Sequence, residues 1–205
     1  MRIAIVGGTG AFGRGLATRL HAAGDDVVVG SRDAERAHAV AEALGVAGAA
    51  NAEAIGGADV VVLATKAEAA VATARELADA LATTPLLCVA SELQVDKSGA
   101  RPVGGADSIA ERVAAAVRAP VAAGLHSIAA ANLGVDAPDE DALVCGDDAR
   151  AKELGLELAA KLVAGRALDA GPLACARALE ATTAVIVNLN RRYRARTGLR
   201  VTGLG

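Results

Sequence analysis

An apolar strand that leads directly into a glycine-rich helix start is the feature that most restricts the fold of this chain. Residues 2–6 are mostly apolar, and residues 8–13 match the pattern G-x-G-x-x-G. In that pattern the first glycine allows a tight turn, the second lets the backbone approach a pyrophosphate, and the third lets the helix pack closely. The free N–H groups of the helix start attract phosphate. We therefore expect a dinucleotide site, rather than an ordinary glycine-rich turn, formed by Gly8, Thr9, Gly10, Ala11, Phe12 and Gly13.

Apolar strands and helical segments alternate along the rest of the chain. Strands are expected at residues 26–30, 59–64, 86–90, near 121, at 142–145 and at 166–169. Helices are expected at residues 11–23, 33–44, 68–81, 107–117, 149–163 and 175–194. Residues 91–105, rich in turn formers and mixed charge, are expected to be a surface loop. This order predicts a doubly wound α/β fold, a parallel sheet of the Rossmann type covered by helices on both faces.

Composition argues against several classes of protein. The net charge of −3, with one Phe, one Tyr and no Trp, does not suit a nucleic-acid partner. No run approaches the roughly 20 apolar residues that cross a bilayer, and the chain starts with a strand rather than a signal peptide. We expect a cytoplasmic protein with no membrane partner. Cys88, Cys145 and Cys175 are spaced too widely for a local metal site and are expected as small buried side chains.

The end of the second expected strand indicates which dinucleotide is bound. An acidic residue there would hold the ribose 2′-hydroxyl of NAD. Here the strand ends in Gly30-Ser31-Arg32, with Arg36 one helical turn further on. A serine hydroxyl and two guanidinium groups offer charge-assisted hydrogen bonds to a 2′-phosphate. We expect NADP at this site; a solvated charged helix start is the alternative.

Together with Gly7-Gly8-Thr9-Gly10, these residues resemble the NADPH:coenzyme F420 oxidoreductases. Three later segments agree with the family and are more specific to it than the glycine motif: residues 125–128, 144–148 and 168–173. The resemblance implies reversible hydride transfer between the deazaflavin F420 and the nicotinamide of NADP. It also implies a Rossmann domain, here residues 1–124, with a smaller C-terminal part, residues 125–205, closing a cleft, in a homodimer.

The resemblance also implies roles for individual residues. NADP would be held by Thr9 to Phe12, Ser31, Arg32 and Arg36; its nicotinamide side would be lined by Ala67 and Val71; Ala130 would lie between the two cofactors; and the deazaflavin would be faced by His126, Ser127 and Ile128. No side chain is expected to act as acid or base, because positioning and exclusion of water supply most of the catalysis. A purely structural role is the alternative for His126.

Two charged clusters have simpler interpretations than ligand binding. Asp147 and Asp148 are expected to cap a helix rather than to bind a metal. The arginines at 191, 192, 194 and 196 could attract the anionic tail of F420 or form a solvated helix end.

Three segments depart from the family pattern where they would border the deazaflavin. Thr65-Lys66-Ala67 replaces an apolar-Pro-Trp-like segment, Ala129 replaces a proline, and residues 91–105 lack a Pro-rich, aromatic pattern. Two alternatives therefore stay open: an NADPH-dependent reductase of a flavin or a small imine or ketone, and a non-catalytic NADP(H)-sensing module. The alanines at 64, 67, 129 and 130 favour an enzyme, because they leave space over the nicotinamide.

Overall fold

The computed structural model describes residues 1–134 and 136–204. Its strands there are β1 (Arg2–Val6), β2 (Asp26–Ser31), β3 (Ala47–Ala50), β4 (Val60–Leu63), β5 (Leu86–Cys88), β6 (Leu93–Asp96), β7 (Gly99–Pro102), β8 (Val121–Gly124), β9 (Ala142–Gly146) and β10 (Ala167–Asp169). Its helices there are α1 (Ala11–Ala22), α2 (Ala34–Leu44), α3 (Asn51–Ile55), α4 (Ala67–Glu76), α5 (Ala78–Leu81), α6 (Ile109–Ala114), α7 (Ala149–Leu162) and α8 (Ala176–Tyr193).

One eight-stranded sheet has the order β10-β9-β8-β5-β4-β1-β2-β3. Its neighbouring strands are parallel except for β8 and β9, which are antiparallel. The strand order reverses at β1, which pairs with β2 on one side and with β4 on the other. In open α/β sheets, ligands bind beyond the carboxyl ends of the strands at such a reversal. The glycine motif follows β1 directly, so it lies at that point.

Both faces of the sheet are buried, as the continuous apolar runs predicted. Side chains alternate between the faces along β1: Ile3 and Ile5 enter one hydrophobic core, while Ala4 and Val6 enter the other. The prediction of a doubly wound Rossmann-type fold is confirmed.

Residues 125–204 contribute to the same sheet rather than forming a separate one. Strand β9 pairs with β8, and β10 extends the edge. The chain end is held by Asp141, whose carboxylate accepts hydrogen bonds from the backbone N–H groups of Arg166 at 2.8 Å and Val201 at 2.9 Å. An ion pair of 3.0 Å with the Arg166 guanidinium adds to this anchor. The two backbone N–H groups, and after them the guanidinium, hold the pKa of Asp141 well below its usual range. Within the described residues, no helix is long and apolar enough to span a membrane.

The segment at residues 91–105, expected to be a surface loop, contains regular structure. Strands β6 and β7 form an antiparallel hairpin there, and its turn is stabilised by Asp96, whose carboxylate accepts from the Ser98 N–H at 2.8 Å. The structure differs from the sequence prediction in two smaller ways, one at an edge strand of the sheet and one in a helix. The region between residues 44 and 60 contains strand β3 and helix α3, and the helix expected at 68–81 is divided into α4 and α5.

Candidate active site

The glycine turn between β1 and α1 is packed tightly at two positions and open at a third. The left-handed backbone conformation falls on Gly7, with φ at 78°, directly before the first glycine of the motif. A Cβ on Gly8 would lie 2.8 Å from the carbonyl oxygen of Ile5, and one on Gly13 would lie 2.6 Å from the Cα of Gly8. A Cβ on Gly10 would meet its nearest protein atom at 3.7 Å. The space beside Gly10 is therefore free for a ligand.

A cavity of about 440 Å³ adjoins this turn and has the features of a nucleotide site. Its lining includes Thr9, Gly10, Ser31, Arg32 and Arg36. Both arginine side chains are exposed, and neither makes a hydrogen bond or ion pair with another residue of the described ranges. Two free guanidinium groups beside an open helix N-terminus suit the phosphates of a dinucleotide.

The acidic residue that follows Arg32 does not oppose a phosphate in this cavity. The Asp33 carboxylate accepts a hydrogen bond from the backbone N–H of Arg36 at 3.1 Å and caps helix α2. The hydroxyl of Ser31 accepts from the Asp33 N–H at 3.2 Å. The helix start is thus satisfied internally, and the guanidinium groups carry the free charge.

A second cavity of about 340 Å³ adjoins the first. Its walls are mostly apolar and include Phe12, Ala67, Leu93, Leu125, His126, Ile128, Ala129, Ala130, Thr183, Ile186, Val187 and Asn190. Both cavities share the segment Ala64-Thr65-Lys66 as a common wall. A dinucleotide with its phosphates at Gly10 can therefore extend its other ring past Ala64 into the apolar cavity.

The backbone around His126 is held in an unusual conformation. Leu125, buried directly after β8, has φ at 67°, a conformation that costs free energy for a residue with a Cβ. The Thr183 hydroxyl donates to the carbonyl of His126 at 2.8 Å and bonds the Ser91 hydroxyl at 2.8 Å. Helix α8 thereby fixes the segment that lines the second cavity.

His126 is neutral at physiological pH. Its side chain is buried, and neither ring nitrogen has a hydrogen-bond partner in the described residues. Burial lowers its pKa to about 4, while the nearby backbone of Ala90 acts in the opposite direction. With both nitrogens buried, His126 forms part of the wall of the second cavity.

Comparisons with known proteins agree with this geometry. The family described as "NADP oxidoreductase coenzyme F420-dependent" matches residues 2–91. The F420-dependent NADP reductase of Methanothermobacter thermautotrophicus is 38% identical, over 100% of this chain and 96% of its own length. That of Methanocaldococcus jannaschii is 32% identical, over 100% and 99%. The chain belongs to the F420-dependent NADP reductase family.

A solved structure extends the agreement to three dimensions. A protein from Arthrobacter sp. FB24, proposed to be an F420-dependent NADP reductase, superimposes with a TM-score of 0.82 at 27% identity. The match covers 99% of this chain and 100% of that one. The resemblance drawn from the sequence motifs is confirmed.

The structure brings together ten of the residues that the family motifs pointed to. Thr9, Gly10, Ser31, Arg32 and Arg36 line the nucleotide cavity. The second cavity is lined by Phe12, Ala67, His126, Ile128 and Ala130.

Five other predicted residues line neither cavity. Gly8 and Gly13 pack against each other, and Ala11 lies exposed in the first turn of α1. Val71 packs against the hydrophobic core. Ser127 is buried, and its hydroxyl donates to the carbonyl of Asp141 at 3.4 Å.

Sequence reasoning missed several lining residues in this member of the family. Asn51 lines the nucleotide cavity, and Thr183, Ile186 and Asn190 present one face of α8 to the second. Thr65, named from the sequence only beside the deazaflavin, lines both cavities. For Thr65 a signal existed, because it closely follows the predicted strand β4, whose carboxyl end meets the site. For Asn51 there was none, because it follows β3, a strand that the sequence did not predict. The α8 residues belong to no motif, and only the packing of that helix places them here.

Both acidic residues after β9 were expected to cap a helix, and one of them does. Asp148 accepts from the Ala151 N–H at 2.8 Å and caps α7. Asp147 instead accepts from the Leu173 N–H at 3.0 Å and so holds the turn that contains Gly171 and Pro172.

Proposed function

We propose that this protein catalyses reversible hydride transfer between NADP(H) and the deazaflavin coenzyme F420. The observation that carries the proposal is the wall that the two neighbouring cavities share, formed by Ala64, Thr65 and Lys66. A nicotinamide entering from the nucleotide cavity would meet a second ring in the apolar cavity, between Ala67 and Ala130. The full-length similarity to curated F420-dependent NADP reductases supports the choice of that second ring.

The residues of the nucleotide cavity fit NADP. Arg32 and Arg36 lack protein partners there, and the hydroxyl of Ser31 lies between the end of β2 and the start of α2. A 2′-phosphate would accept hydrogen bonds from these groups, whereas the uncharged 2′-hydroxyl of NAD would leave both guanidinium charges unpaired. The open space beside Gly10 and the free N–H groups of α1 would hold the pyrophosphate.

The residues of the second cavity would act by positioning and by excluding water. The bound cofactors supply the hydride donor and acceptor, so the chain needs no acid or base of its own. The small side chains of Ala67, Ala129 and Ala130 leave room for two stacked rings. The mostly apolar wall and the neutral His126 would keep water away from the reacting carbons.

We also propose that different parts of the chain bind the two cofactors. Residues 1–124 would hold NADP, and residues 125–205 would complete the deazaflavin side through His126, Ile128, Ala130 and helix α8. Val71 and Ser127 would support the cavity walls from behind. A cytoplasmic homodimer is expected from the family resemblance, and analytical ultracentrifugation of the purified protein tests the dimer.

The proposal is tested by following anaerobic NADPH oxidation with F420, FMN, FAD or no acceptor. Turnover with F420 and not with the flavins is expected. Thr65, Lys66 and Ala129, which depart from the family pattern, lie in the wall of the second cavity. Because they would contact the second ring, a flavin is the alternative acceptor. Turnover with FMN or FAD alone would contradict the F420 proposal and favour that alternative. Tight NADPH binding with no turnover would favour a sensing module.

A further inference from the structure

A third concave surface lies beyond the second cavity, between the hairpin tip and the end of α8. It encloses about 410 Å³ and is lined by Lys97, Ser98, Gly99, Asn188, Arg191 and Arg192. We call its three cationic side chains, those of Lys97, Arg191 and Arg192, the basic patch. No carboxylate is among these lining residues, although the whole chain carries a net charge of −3. This surface is therefore positively charged, although the protein as a whole carries a net negative charge.

The charges of the basic patch are largely free. Lys97 and Arg192 are exposed and make no hydrogen bond or ion pair with a residue of the described ranges. Arg191 donates to two carbonyl oxygens, those of Asp96 at 2.6 Å and Lys97 at 3.2 Å, which leaves its charge without a carboxylate. The nearby carboxylate of Asp96 accepts from Ser98 within the hairpin turn.

The surface is formed in advance because helix and hairpin are tied together. The side chain of Asn188 accepts from the Ala100 N–H at 2.7 Å and donates to the Ala100 carbonyl at 2.8 Å. A Cβ on Gly99 would lie 2.5 Å from the Asn188 oxygen, so the two elements are in close contact. A ligand that binds here does not have to order the hairpin first.

The basic patch continues two walls of the second cavity. Val187 of α8 lines that cavity, and Arg191 follows it by four residues, or about 6 Å along the helix axis. Leu93 lines the same cavity, and Lys97 comes directly after β6, in the hairpin turn. A flexible chain that leaves the second cavity along α8 would reach the basic patch within a few bonds.

Complementarity to the helix dipole explains only part of this arrangement. Cations at a helix C-terminus are stabilised by the dipole, which accounts for Arg191 and Arg192. It does not account for Lys97, which lies on a different element, nor for the concave shape.

We propose that the basic patch binds the anionic tail of F420, its phosphodiester and glutamate carboxylates, while the deazaflavin ring occupies the second cavity. The inference rests on the proposed function and adds a tail subsite to it. Exposed charge pairs are worth up to about 1 kcal/mol each, so each cation of the patch is expected to improve the KM for F420 about two- to fivefold.

The test compares F420 with its fragment that ends at the ribityl hydroxyl and lacks both phosphate and glutamates. KM and kcat for each acceptor are measured with NADPH for the wild type and for Lys97→Gln, Arg192→Gln and the double variant. The control is Arg118→Gln, which removes one exposed charge from a different cavity. The patch variants are expected to raise the KM for F420, about tenfold for the double variant, at unchanged kcat and with no effect on the fragment. Added salt should raise the wild-type KM for F420 more than that for the fragment.

The outcomes separate this inference from the proposed function. Reduction of both acceptors with equal wild-type KM values, or patch variants that behave like Arg118→Gln, would overturn the tail subsite and leave the hydride transfer standing. Failure of the wild type to reduce either acceptor would overturn both.

Discussion

Gly13 lies directly against Gly8, so closely that a Cβ on Gly13 would come within 2.6 Å of the Cα of Gly8. This contact sets the first turn of α1 against the turn that follows β1. Gly10, between them in sequence, faces open space in the nucleotide cavity. The motif therefore combines two glycines required by packing with one that has room for a ligand, and mutation can separate these roles.

Gly13→Ala should lower stability, whereas Gly10→Ala should weaken NADPH binding. The alanine at 13 overpacks the turn and is expected to lower the free energy of unfolding by about 1–3 kcal/mol. The alanine at 10 has an allowed backbone conformation, with φ at −74°, and should change stability by less than about 0.5 kcal/mol. Its methyl group would occupy the pyrophosphate space and weaken NADPH binding about tenfold or more. Urea unfolding and calorimetric titration check both; normal NADPH affinity in Gly10→Ala would contradict the proposed phosphate position.

Arg32→Ala tests how the cavity distinguishes NADP from NAD. A charge-assisted hydrogen bond is worth about 1.5–3 kcal/mol, so the KM for NADPH should rise roughly 10- to 150-fold. The KM for NADH should change little, because NADH has no 2′-phosphate. Steady-state kinetics with both nucleotides measure the ratio. An equal rise for the two would mean that Arg32 does not contact the 2′-phosphate.

Thr183→Val tests the link between α8 and the second cavity. The substitution preserves shape but leaves the His126 carbonyl and the Ser91 hydroxyl without their partner. A loss of about 1–3 kcal/mol in the free energy of unfolding is expected, together with a higher KM for F420 and an unchanged KM for NADPH. Thr182→Val is the matched control, since the Thr182 hydroxyl donates only to Ala178 within the same helix. Equal effects of the two variants on the F420 KM would refute the link.

The burial of His126 predicts a specific dependence of stability on pH. Its pKa is lowered from 6.5 to about 4 in the folded protein, so between these values the unfolded chain binds a proton that the folded chain does not. The contribution of His126 to stability is therefore fully present above about pH 6.5 and is lost as the pH falls towards 4, on the order of 3 kcal/mol in all.

His126→Asn removes this titration and should flatten the decline of stability in that window. Urea unfolding of both proteins at several pH values gives the difference between them. Burial raises the pKa values of Glu140 and Glu180 in both proteins. Their contributions therefore cancel in the difference between the two stability profiles. Parallel pH profiles would show that His126 is solvated.

The sequence supports a detailed prediction wherever local pattern and burial agree. Val60–Leu63 is apolar throughout because both of its faces are covered, and that pattern alone predicts a central strand. The placement of Arg32 and Arg36 follows equally directly, since the end of the second strand in a Rossmann-type fold meets the ribose.

Elements stabilised by distant partners could not be predicted in this way. The strands of the β6–β7 hairpin are short and largely exposed, and Ala100 depends on Asn188, which is 88 residues away in the chain. Edge strand β3 consists of alanine and glycine, which rarely form strands, and is held by pairing with β2 and by the close approach of Gly48 to the Ala37 backbone. The same holds for Thr183 and Asn190, which only the packing of α8 brings to the site.

Direct transfer of hydrogen between the two cofactors is the central claim, and isotope labelling tests it most directly. NADPH carrying deuterium on either face of the reactive carbon of its nicotinamide is incubated anaerobically with F420 and the protein in ordinary water, and the reduced F420 is analysed by mass spectrometry. Deuterium in the reduced deazaflavin from one labelled face and not from the other is the predicted result. F420 that is reduced without deuterium from either face, or is not reduced at all, would contradict the account.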